Sequence, residues 1–81
     1  MRIRYDKQAD AAYIYVVKEI APGGVKATHV CDLSDIERNY GLAPIRGMIN
    51  LDFDEDGHLL GIEIIEATNI LPKYLLEEDD A

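Results

Sequence analysis

The chain has no tryptophan, one phenylalanine and one cysteine among its 81 residues. The lone Cys31 has no disulfide partner within the chain, which excludes a small disulfide-stapled scaffold and fits a reducing, cytoplasmic compartment. One cysteine and two separated histidines, His29 and His58, fall short of the four ligands of a structural zinc site. No apolar run approaches the roughly 20 residues of a membrane-spanning helix. Met1-Arg2-Ile3-Arg4-Tyr5-Asp6 enters an alternating pattern at once, without the apolar stretch of an export signal. Basic residues are scarce, eight Lys or Arg against 16 Asp or Glu, for a net charge of -8. Because contacts to phosphate dominate nucleic-acid affinity, this balance argues against direct DNA or RNA binding. A Gly-rich phosphate loop, a serine-nucleophile elbow and a dinucleotide fingerprint are all missing, so no cofactor is expected.

What is present is unevenly distributed. Residues 1–51 are nearly neutral, whereas residues 52–81 carry Lys73 alone against ten Asp or Glu. The acidity of the last third suits a basic protein partner, a cation, or simple solubility. At this length there is room for one domain, and folding buries only about 60 to 65% of the surface exposed by the unfolded chain. A second copy of the chain is one way to add stability, and this small size together with a second apolar face on residues 11–17 leads to the expectation of a homodimer.

Hydropathy alternation predicts the elements. Ile3 and Tyr5 alternate with Arg2 and Arg4 in a first strand, and Asp6-Lys7-Gln8-Ala9-Asp10 supplies a turn. Residues 11–17 form a second strand with apolar side chains on both faces, the pattern of a central strand. After the breaker Ala21-Pro22-Gly23-Gly24, residues 25–31 read as a third strand, expected to form a hairpin with the second. Residues 32–46 read as an inserted loop with one short helix. Ser34-Asp35-Ile36-Glu37 has the form of a capping box, Gly41 sits at the C-cap, and Pro44 stops any continuation.

Residues 48–66 are two alternating runs around Asp56-Gly57, a favoured two-residue type I′ turn. With those two residues as the loop, Phe53 faces Leu60, Leu51 faces Ile62 and Ile49 faces Ile64. A one-residue slip would set Ile49 against Glu63. The opposite face then carries Asn50, Asp52, Asp54 and Glu63. A short helix is expected near Pro72, with Leu71, Leu75 and Leu76 turned to the sheet, followed by an acidic tail at 77–81. The expected fold is α+β: one domain over 1–81, an antiparallel meander of about five strands with a short C-terminal helix on one face.

Two groups of residues could carry chemistry. Asp52, Asp54, Asp56, Gly57 and Glu63 fit the calcium-loop spacing, in which alternate carboxylates and a distant Glu converge on a hard cation. The flanks read as strands, however, and Leu60 stands where an oxygen donor is usual. The alternative is a charged hairpin tip offering Asp52, Asp54 and Glu63 to a partner. His29 and Cys31, two apart on one strand, could be read as a thiol and base, but i and i+2 neighbours lie too far apart for easy bonding and Asp32 points to the other face. Five tyrosines without a basic groove do not make a nucleic-acid stacking platform.

Tyr5-Asp6-Lys7-Gln8-Ala9-Asp10-Ala11-Ala12-Tyr13-Ile14 and Leu51-Asp52-Phe53-Asp54-Glu55-Asp56-Gly57-His58-Leu59-Leu60-Gly61-Ile62-Glu63-Ile64 together resemble a family of small bacterial and archaeal proteins classed as a domain of unknown function. The resemblance implies a compact β domain without assigned catalytic or ligand-binding residues. It also implies an antitoxin-like role, because some members are encoded beside small basic proteins resembling ribonuclease toxins. Residues 32–46 depart from the family pattern, which passes more directly from the third strand to the hairpin. The reading that follows is a non-enzymatic interaction module for a basic protein, with a cation-binding loop and a small Cys/His enzyme as alternatives.

Overall fold

The computed structural model describes residues 1–77. Its strands are β1 (Arg2–Asp6), β2 (Ala11–Tyr15), β3 (Ala27–Val30), β4 (Met48–Phe53) and β5 (Leu59–Ile65). Helix α1 (Leu33–Tyr40) lies between β3 and β4, and α2 (Ala67–Ile70) and a 3-10 turn at Lys73–Leu75 follow β5. All five strands are antiparallel in one sheet, ordered β1-β2-β5-β4-β3. The α+β class with C-terminal helical turns on one face is as expected. The acidic tail expected at 77–81 lies, from residue 78 on, outside the described residues.

The expected hairpin between the second and third strands does not form. β2 lies between β1 and β5, and β3 pairs with β4 at the far edge. β2 is interior to the sheet as its pattern predicts: Ala12 and Ile14 lie on the core face opposite Ile64 and Ile62, and Tyr13 and Tyr15 pack edge-on on the other face. Pro22-Gly23 makes a tight turn, closed by the Gly24 N–H to the Ala21 carbonyl at 2.8 Å with Gly23 at φ 74°, but it lies within the connection from β2 to the far edge strand instead of joining neighbouring strands.

Strand registers assign the faces, since alternate residues share one. Ile3, Tyr5, Ala12, Ile14, Ile49, Ile62 and Ile64 share a face, over which Ala67, Ile70, Leu71 and Leu76 pack. Ala12, Ile64, Ala67 and Leu76 are its buried centre. Leu71 and Leu76 therefore act as expected, although the helix precedes Pro72 and only a 3-10 turn follows it. The molecule measures 37 × 32 × 19 Å, the thickness of one sheet and one covering layer. The other sheet face carries Tyr13, Tyr15, Asn50, Asp52 and Glu63, of which Asn50 is buried and the rest half-buried.

α1 is capped by Asp32, whose carboxylate accepts the Asp35 N–H at 3.2 Å and the Ser34 hydroxyl at 2.6 Å. Gly41 ends it in the left-handed region at φ 64°. The expected Ser34–Glu37 capping box is not made. Asp32, two residues earlier, takes the cap, and Glu37 reaches forward to accept the Ile45 N–H at 2.6 Å, tying down the loop that returns to β4.

Candidate functional site

The β4–β5 hairpin positions most of the acidic residues singled out by sequence. Its apolar register is the expected one, with Ile49 opposite Ile64 and Leu51 opposite Ile62, but Phe53 pairs with Leu59 across an irregularity beside Asp52. The loop has three residues, Glu55, Asp56 and Gly57, closed by the Asp54 N–H to the His58 carbonyl at 3.0 Å. Asp54 selects this turn over the two-residue one. Its Oδ1 accepts the N–H of Asp56 at 2.9 Å and of His58 at 2.8 Å, and Gly57 supplies the left-handed φ of 84°. The added loop residue is absorbed by Leu60, left without a cross-strand partner in β4. The His58 N–H, followed by the Asp56 N–H and the His58 ring, holds the Asp54 carboxyl below the usual carboxylate range.

The five calcium-spaced residues divide between two places. Asp54, Asp56 and His58 bring one ligand atom each to within 4.8 Å of one another at the tip. Asp52 accepts the Tyr13 hydroxyl at 2.6 Å and the Thr28 hydroxyl at 2.6 Å, while Glu63 accepts the Asn50 side-chain N–H at 3.0 Å. Asp52 and Glu63 thus belong to a polar network on the sheet face opposite the apolar core. His58 has the place at the tip that spacing alone gave to Glu63.

That network spans four strands. Tyr13 lies opposite Glu63, and Asp52 lies opposite Gly61. The Tyr13 ring crosses Gly61 diagonally to reach Asp52, and a Cβ on Gly61 would run into the ring. Burial, then the Asp52 carboxylate, pushes the Tyr13 phenol well above its ordinary value. Tyr15 meets Tyr13 edge-on with centroids 4.8 Å apart, and the Arg2 guanidinium sits 4.0 Å above the Tyr15 ring. Asn50 is 8% exposed, and its Oδ1 is buried without a hydrogen-bond donor.

A second polar knot joins the N-terminal hairpin to the C-terminal turns. Asp10 accepts from the Tyr5 hydroxyl at 2.8 Å, the Thr68 N–H at 3.1 Å and the Thr68 hydroxyl at 2.7 Å. Its carbonyl accepts the Ala67 N–H at 2.9 Å. Asp10 and Glu66 both adopt positive φ, 51° and 57°. The Thr68 hydroxyl is the main cause of the lowered Asp10 carboxyl, and the Asp10 bond is the main cause of the raised Tyr5 phenol. An open cleft of about 280 Å³ beside the knot is lined by Tyr5, Lys7, Thr68, Lys73, Leu76 and Glu77. Sequence suggested only turn chemistry for Asp10, because Thr68 is 58 positions away.

His29 and Cys31 remain apart from these networks. His29 is exposed on edge strand β3 and Cys31 is half-buried just beyond it. The neighbouring Asp32 carboxylate caps α1.

A family model described as a protein of unknown function (DUF2283) matches residues 2–67. The chain belongs to the DUF2283 family. The matched span takes in the whole sheet, both sides of the Tyr13–Asp52 network and Asp10 with its backbone partner Ala67. It stops one residue short of Thr68, which completes the Asp10 knot. No curated protein and no solved structure matches the chain. Among the described residues no helix is long and apolar enough to cross a membrane.

Proposed function

We propose that the protein is a non-catalytic interaction module, a homodimer whose acidic β4–β5 hairpin binds a basic protein. An antitoxin-like pairing with a small basic toxin is one form of this function. The observation that carries the reading is the hairpin tip. Glu55 and Asp56 are exposed beside Asp54, whose carboxylate lies 3.3 Å from the His58 ring nitrogen. An exposed acidic hairpin tip attracts a basic surface over a distance of about a Debye length, roughly 10 Å at 0.1 M salt.

Tagged wild type and a Glu55→Gln/Asp56→Asn variant, each exposed to native-host extract at low and high salt, test this. The expected result is a basic protein retained by the wild type at low salt, released at high salt and lost from the variant. Equal retention by the variant, or no partner under either condition, overturns the reading.

One observation favours a second reading, a cation-binding hairpin: the convergence of Asp54, Asp56 and His58 within 4.8 Å. Calorimetric titration with calcium should then give saturable heat in the wild type and none after Asp54→Ala. The absence of saturable heat in the wild type removes it.

A further inference from the structure

The two edges of the sheet are unlike. β1 presents Arg2, Arg4 and Asp6, charges that oppose strand-to-strand association, and a β1–β1 seam centred on Arg4 would set two guanidinium groups face to face. β3 is Ala27-Thr28-His29-Val30, with no Lys, Arg, Asp or Glu, and all four residues are exposed. Val30 is 54% exposed. An uncharged, uncovered edge strand is a template for another strand.

The hydrogen-bond parity of β3 shows what that strand would meet. The Cys31 N–H bonds the Ile49 carbonyl at 2.9 Å, and His29 and Ala27 lie opposite Leu51 and Phe53. From Ala27 to Cys31 the odd-numbered residues therefore face β4 and the N–H and C=O of Thr28 and Val30 face outward, whereas Lys26 turns its N–H back to the Phe53 carbonyl at 2.8 Å. We propose that β3 pairs antiparallel with β3 of a second copy about a two-fold axis at His29, Thr28 of each protomer exchanging backbone hydrogen bonds with Val30 of the other. This joins two five-stranded sheets into one of about ten strands.

Charge supports a second copy as the occupant. The same register brings Lys26 at one end of the seam alongside Asp32 of the other protomer, twice over by symmetry. It also brings the first turn of α1, with Ile36 at 37% exposure, up to Val25 of the other protomer at 38%. β1 on β3 would instead give a heterologous contact that propagates without closing.

The inference rests on the homodimer proposed above, and its test separates the two. In a Cys31→Ser background, His29→Cys places the two new thiols across the axis with Cα atoms about 4.5 to 5.5 Å apart, within disulfide range. Val30→Cys in the same background separates them by about 8 Å, outside that range. Under mild oxidation the disulfide dimer should form at least about tenfold faster at position 29 than at position 30. Val30→Lys, with unchanged circular dichroism, should be monomeric by light scattering where the wild type is dimeric. A wild-type dimer that crosslinks equally at both positions, or survives Val30→Lys, overturns the seam and leaves the homodimer standing. A wild-type monomer at high micromolar concentration overturns both.

Discussion

Gly61→Ala is the sharpest test of how Tyr13 packs on the sheet face opposite the core. Gly61 is buried in the central strand beneath the Tyr13 ring, which crosses it to bond Asp52. A methyl group at 61 must displace the ring. Forcing it into that space costs about 1 to 3 kcal/mol, as over-packed sites generally do. Loss of the Tyr13–Asp52 bond, a hydrogen bond to a carboxylate, costs about 1.5 to 3 kcal/mol. Against these, alanine in a strand is favoured over glycine by about 0.5 to 1 kcal/mol. The two penalties overlap because a displaced ring has already lost its bond, so the expected net loss is about 2 to 4 kcal/mol. A chain of this size has about 4 to 12 kcal/mol in total, and at about 4 to 8 °C per kcal/mol the melting temperature should fall by about 8 to 32 °C. Urea unfolding of wild type, Gly61→Ala, Tyr13→Ala and the double variant measures the terms separately. Once Tyr13 is truncated, Gly61→Ala should become neutral or stabilising by about 0.5 to 1 kcal/mol. The same loss in both backgrounds would refute the reasoning, as would no loss in the wild type.

Other expectations follow from the same geometry. Asp10, Asp32 and Asp54 have lowered carboxyl values, so their contribution is present above the ordinary carboxylate range near pH 4 and disappears as pH falls through and below it. Tyr5 and Tyr13 are raised, so theirs is present below about pH 10 and disappears as pH rises beyond it. Urea midpoints across pH should form a plateau with both edges, and Thr68→Ala should soften the acid edge; an acid edge unmoved by Thr68→Ala would contradict the Asp10 assignment. Gly57→Ala forces a left-handed φ on a residue with a side chain and should cost about 1 to 2 kcal/mol in urea unfolding. Ile64→Ala, at 3% exposure in the core, should cost about 2 to 5 kcal/mol, with hydrogen exchange accelerating first in β2 and β5.

The parts of this structure legible in the sequence are those set by local alternation. Pairings such as Ile49 with Ile64 follow from side-chain period and from which slip would bury Glu63. The turn type did not follow, because Asp-Gly favours a two-residue loop until one notices that Asp54 can hold two backbone N–H groups of a three-residue loop. The capping box failed for a similar reason. Asp32 and Ser34 both suit a cap, and the choice depended on Glu37 being drawn away to Ile45. Partnerships across the sheet were least legible. The calcium-like spacing of Asp52 and Glu63 is real along the chain, but Tyr13, Thr28 and Asn50 reach them only after β2 and β3 have taken their places. Nothing local to the Asp10 turn announces Thr68.

The strand order has a further consequence, for the time at which the fold becomes available. β5 is the last strand in the chain and the middle one in the sheet, so the β1–β2 hairpin has no neighbour to complete it until residue 65 has been synthesised. Joining Ala11 to Ile65 closes a loop of more than fifty residues, and the entropy of that closure falls on a single late step. Until then the apolar faces of β2 and β4 are exposed on the nascent chain. Closure of the sheet therefore waits until β5 has left the ribosome.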